Sequence, residues 1–101
     1  MADELEQLLA LTQTLHARAE AGEWEAVARL EGRRRARLQS WCQAHAAGID
    51  AGQRRMLEQI HDLNHRLEAL ARARHDRLGA ELHDLRRGRS GAAAYAANRG
   101  R

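Results

Sequence analysis

The residue types able to do chemistry in this sequence are six histidines, one cysteine and a dense run of arginines. His61 and His65 stand four apart, and Glu58-x-x-His61 has the carboxylate–histidine spacing of di-iron helical bundles. A di-iron centre needs a second such motif and further inward glutamates, and none of the other histidines has Glu three residues before it. Both histidines fall at the edge of an apolar seam rather than inside it, so neither a metal nor a cofactor is expected. Cys42 and His45 have a spacing at which a nucleophile could meet a base. Cys42, however, falls at a helix C-terminus, where the negative end of the helix dipole disfavours a thiolate. Ser, Thr and Asp form no triad pattern, and no glycine-rich phosphate loop follows a strand. The chemistry points away from an enzyme and toward a binding or interaction protein.

The arginine run Arg33-Arg34-Arg35-Ala36-Arg37 resembles a nucleic-acid patch in composition. Three features argue against direct nucleic-acid binding. Consecutive helical positions step by about 100°, so these side chains point nearly all round the axis and form no single stripe. No aromatic residue interleaves with them to stack on bases. An acidic first segment, with Asp3, Glu4, Glu6, Glu20, Glu23 and Glu25 against Arg18 alone, is available to neutralise them. A solvated or intramolecularly paired helix is the expected fate of the run.

The elements that must position these residues are helices. The 101 residues contain no proline, phenylalanine or lysine, while 21 Ala and 14 Leu make up most of the 44% hydrophobic fraction. Val, Ile and Thr together number five, too few for a β-rich fold, and Ala, Leu, Arg, Glu and Gln are the strongest helix formers. No run of about 18 apolar residues exists to span a membrane. The single cysteine allows no internal disulfide, and the acidic N-terminus is unlike a signal peptide, so a cytoplasmic protein is expected. With alanine forming so much of the apolar content, the core is thin, which favours sharing apolar surface with a second copy or another protein.

The fold expected is all-α: one domain over residues 1–101, an antiparallel hairpin or bundle of three main helices at about 3–21, 23–43 and 50–87, plus a short C-terminal helical tail at 88–101. The first opens on Asp3 with Glu6, a capping-box variant, and carries Leu5, Leu8, Leu9, Thr12, Leu15 and Ala19 at helical spacing before Gly22. The second carries Trp24, Val27, Leu30, Leu38 and Trp41, interrupted by Gly32 and the arginines. Residues 42–52 read as a loop, after which Asp50 with Gln53 restarts a helix. The third has the strongest periodicity: Met56, Ile60, Leu63, Leu67, Leu70 and Arg74 alternate steps of four and three, as in a coiled-coil seam. Leu78, Leu82 and Leu85 continue it after a stutter. Asp50–Arg54, Asp62–Arg66 and Glu68–Arg72 are spaced to pair along its outer face. The tail, with two early glycines and then Ala-rich residues, is too short to hold a helix by itself.

Two segments carry a resemblance. Ala19-Glu-Ala-Gly22-Glu-Trp24-Glu-Ala-Val27-Ala-Arg-Leu30-Glu31, followed by Arg34 or Arg35 and Leu38, is similar to the small flagellar export chaperones of the FliT family. The ending Leu82-His-Asp-Leu85-Arg-Arg-Gly88-Arg89, then Ala92-Ala-Ala-Tyr95, resembles that family's C-terminal pattern. The resemblance covers essentially the whole chain. It implies a cytoplasmic, non-enzymatic chaperone for the filament-cap protein FliD, holding an amphipathic C-terminal segment of that client in an apolar groove on the second and third helices. It further implies docking on the export gate and ATPase complex through the tail tyrosine, and in some members a contact with the regulator FlhDC. Carried over by residue, the candidate partner-binding set is Trp24, Val27, Leu30, Leu38 and Trp41 on the second helix, Leu63, Leu67 and Leu70 on the third, and Leu85, Arg89 and Tyr95 toward the end. An apolar stripe at helical spacing serves first as intramolecular core, and the greater part of the helical set is expected there. Two other roles compete: a structural coiled-coil homodimer or adaptor without a client, and an arginine-rich regulator associated with nucleic acid.

Overall fold

The computed structural model describes the backbone of residues 3–99 and the side chains of residues 3–89. Three helices, α1 (Glu4–Glu20), α2 (Trp24–Ala44) and α3 (Ala51–Arg99), make an all-α fold with no strand among the described residues. The chain divides after Leu70 into two compact units, so α1, α2 and the first part of α3 form one unit and the remainder of α3 the other.

Local chemistry sets the helix ends in the first unit. Asp3 caps α1, its Oδ1 accepting from the Leu5 N–H at 2.6 Å and the Glu6 N–H at 3.2 Å. At the other end Gly22 takes φ +77°, a left-handed conformation that glycine adopts without steric cost. The Glu23 N–H then reaches back to the Arg18 carbonyl at 2.9 Å and the Gly22 N–H to that of Ala19 at 3.0 Å, closing a Schellman turn. Arg18 and Glu23 clamp the same turn with an ion pair at 2.6 Å. This tight reversal sends α2 back antiparallel along α1. Asp50 and Gln53 form a reciprocal capping box at the start of α3: Asp50 Oδ1 accepts from the Gln53 N–H at 2.7 Å, and Gln53 Oε1 from the Asp50 N–H at 2.9 Å.

All six positions read as the apolar stripe of α1 face inward, five of them buried and Leu9 half-buried. Near the α2–α3 connection, Leu5, Leu8, Trp41 and Ile60 form one buried cluster, with Leu9, Leu38, Ile49, Met56 and Leu57 packed around it. Toward the α1–α2 turn, Leu15, Ala19, Val27 and Leu67 form another, flanked by Trp24, Leu30 and Leu70.

Three expectations are corrected. The α2–α3 loop is shorter than 42–52, because α2 continues to Ala44. His45 caps that end: its ring stacks on Trp41 with centroids 3.9 Å apart, and its Nδ1 lies 2.8 Å from the Trp41 carbonyl oxygen. Second, the helical tail is not separate from the third helix: α3 does not stop at residue 87, and its backbone stays helical through Gly88 and Gly91 to Arg99. The 88–99 stretch extends a helix already nucleated, so only the small per-residue cost of propagation applies. Third, Asp50–Arg54, Asp62–Arg66 and Glu68–Arg72 do not pair among the described residues. Acids that do engage arginine include Glu4, Glu23, Glu31 and Asp84.

Candidate functional site: apolar surfaces of the second and third helices

Within the first unit, α2 and α3 leave a shallow groove of about 420 Å³ between them. Leu38, Leu57 and Ile60 give it an apolar lining, and Arg54, Glu58, His61, Asp62 and Cys42 supply its polar lining. Arg34 and Asn64 also line it, with Arg34 Nη2 donating to Asn64 Oδ1 at 2.9 Å.

The candidate residues separate by burial. Val27, Trp41 and Leu67 are core, between 6% and 8% exposed, and serve to hold the helices together. Trp24, Leu30 and Leu70 are half-buried against the same core. Leu38 is half-buried and lines the groove, while Leu63 is half-buried outside both clusters. Within the second unit, Leu85 and Arg89 are exposed and line a surface depression with Glu81, Asp84 and Gly88. Tyr95 has its side chain outside the described residues.

Among the described residues the large apolar side chains left exposed are Leu85, already in the candidate set, and Leu78 and Leu82, which the sequence placed only as a continuation of the seam. Leu78, Leu82 and Leu85 are 43%, 54% and 62% exposed. Their spacing of four and three places them on one face of α3. The stutter before Leu78 was the available signal, because it marks a change of phase in the seam.

Three of the four arginines of the run, Arg34, Arg35 and Arg37, are engaged within the fold. Arg34 is 3% exposed and donates to both oxygens of Glu31. Arg35 pairs with Glu31 at 3.1 Å, and Arg37 reaches across to Glu4 of α1 at 2.8 Å, adding a bond to Gln7. The hydrogen bond from Arg37 holds the Glu4 carboxyl below its ordinary value and raises the Arg37 guanidinium in turn. Histidine chemistry is likewise local. His61 and His65 approach each other at 3.1 Å between their Nε2 atoms, and His45 turns to Trp41 rather than to Cys42. Among the described residues no three His, Cys, Asp or Glu side chains are grouped to hold a metal ion, and no helix is long and apolar enough to cross a membrane.

The family model described as flagellar protein FliT matches residues 2–97. No curated protein and no solved structure gives a significant match.

Proposed function

The chain belongs to the FliT family of flagellar proteins, whose members are non-enzymatic export chaperones, and from that premise we propose that its client is the C-terminal helical segment of the filament-cap protein FliD. The observation that carries the proposal is the stripe Leu78–Leu82–Leu85, three large apolar side chains left in water on one helix face. An amphipathic helix recognises such a face through apolar anchors at matching spacing, and burying those anchors supplies most of the binding energy. Within the first unit, Leu38 and Leu63 are separate candidate partner contacts. Val27, Trp41 and Leu67 act indirectly, by holding the helices that present these side chains. The chaperone works in the cytoplasm, keeping the client segment covered until it reaches the export gate and ATPase complex. Tyr95 and Arg89 are the residues proposed for that docking, and a contact with FlhDC is a further proposed partner role.

Titration calorimetry of the full chain with a peptide from the C-terminus of FliD tests the reading. Binding in the micromolar range or tighter is expected, with Leu82→Asp weakening it by about tenfold or more, equivalent to about 1.4 kcal/mol. Tyr95→Ala is expected to leave peptide affinity unchanged while weakening capture of export-gate components. Absence of heat with the peptide, together with a concentration-dependent mass in light scattering, would favour the client-free homodimer instead.

A further inference from the structure

The core of the first unit is interrupted. Between its two apolar clusters, each helix contributes one polar residue at the corresponding level: Thr12 from α1, Arg34 from α2 and Asn64 from α3. Thr12 is fully buried and satisfies itself, its hydroxyl donating to the Leu8 carbonyl at 2.8 Å. Arg34 instead needs a neighbouring helix. Its Nη2 donates to Glu31 on its own helix and to Asn64 Oδ1 on α3, while Asn64 Nδ2 donates onward to Glu68 at 3.4 Å. Among the described residues no buried side-chain nitrogen or oxygen lacks a partner, so the layer is satisfied in this one arrangement.

A buried ion pair contributes little net stability, because desolvation offsets most of the Coulombic gain. Its effect on alignment is larger. Sliding α2 along α3 by one turn carries the Arg34 guanidinium from the level of Asn64 to that of Ile60 or Leu67, both buried and apolar. Glu31 travels with Arg34 on the same helix, but the α3 amide does not. The apolar residues of α3, recurring at steps of three and four, by themselves offer α2 a similar surface one turn away.

We propose that the Arg34–Asn64 bridge, braced by Glu31, is a register pin that holds α2 and α3 in the single alignment that forms the groove of Leu38, Leu57 and Ile60. Arg34 is thus a positioning residue for that groove, independently of what occupies it.

The test measures alignment separately from stability. Spin labels on Cys42 and on an Arg66→Cys substitution, both at exposed positions, report the α2–α3 offset in the full chain. The parent is expected to give one narrow distance distribution. The pair Arg34→Met with Asn64→Leu leaves Glu31 its bond to Arg35 and is expected to broaden the distribution or add a population displaced by up to about 5.4 Å, one helical turn. Arg34→Lys, which keeps the charge but loses the Nε bond to Glu31 and the planar guanidinium that fixes Nη2 between Glu31 and Asn64, is expected to broaden it as well. Where the double variant loses its helical circular dichroism, the lysine variant decides. A distribution as narrow as the parent's in the folded variants overturns the proposal, even if their melting temperatures fall, because the bridge would then be only one more stabilising contact.

Discussion

At the residue scale, short-range polar chemistry is the most predictable part of this chain. Asp3 was legible as a cap from its place three residues before Glu6, and its carboxylate does bond the Leu5 and Glu6 N–H groups. Asp3→Ala is expected to cost about 1 kcal/mol, read as a lowered midpoint in urea denaturation. The Glu4–Arg37 pair was legible only as a general expectation that the acidic first segment would neutralise the arginines. Which two residues meet depends on how α1 and α2 align. Because the folded Glu4 carboxyl is held below its ordinary value of 4.5, the pair's contribution is fully present above that value and is lost as pH falls through the lowered one. The stability difference between the parent and Glu4→Gln is therefore expected at neutral pH and to vanish under acid, and to shrink with added salt since both groups face solvent. Arg34 was one of four similar arginines in the sequence. Its burial follows from its place on the inner face of α2, which a run of adjacent arginines conceals.

At the element scale, periodicity located all three helices, and the errors lie at their ends. The end of α2, expected at about residue 43, falls at Ala44, where the Trp41–His45 stack closes the helix; it is the start of the following loop that was placed too early, because Cys-Gln-Ala-His carries no large apolar residue to continue the stripe. The end of α3 was placed at residue 87 because two glycines follow. Neither Gly32 nor Gly88 has a positive φ, and nothing lies within 4 Å of a Cβ built on either. A glycine of that kind weakens a helix without ending it. Gly32→Ala, in the middle of α2 at an exposed position, is accordingly expected to stabilise the protein by about 0.5–1 kcal/mol, visible as a raised melting temperature. The seam of α3 also divides between the two units. Ile60 and Leu67 are buried in the three-helix unit, whereas Leu78, Leu82 and Leu85, beyond the stutter, are exposed.

At the scale of the molecule, the few large apolar residues have two fates. Those of the first unit build a small core in which each side chain matters: Leu8→Ala, at a fully buried position, is expected to cost about 2–5 kcal/mol by thermal or chemical denaturation. Those of the stripe are spent on no core, so Leu82→Asp is expected to shift stability by no more than about 0.5 kcal/mol while impairing client binding. That separation of effects distinguishes a binding face from a structural one. Composition and periodicity sufficed to determine an all-α chain, its three helices, their caps at Asp3 and Asp50 and the inward face of α1, because each of these depends on neighbours within about four residues. The tertiary structure alone decided which candidate residues are core and which are surface, and which arginine is buried. Periodicity places Leu67 and Leu82 on apolar stripes of the same helix; Leu67 is buried because α1 and α2 pack against it within the first unit, a contact between residues far apart in sequence that spacing along one helix does not encode, whereas Leu82 is exposed.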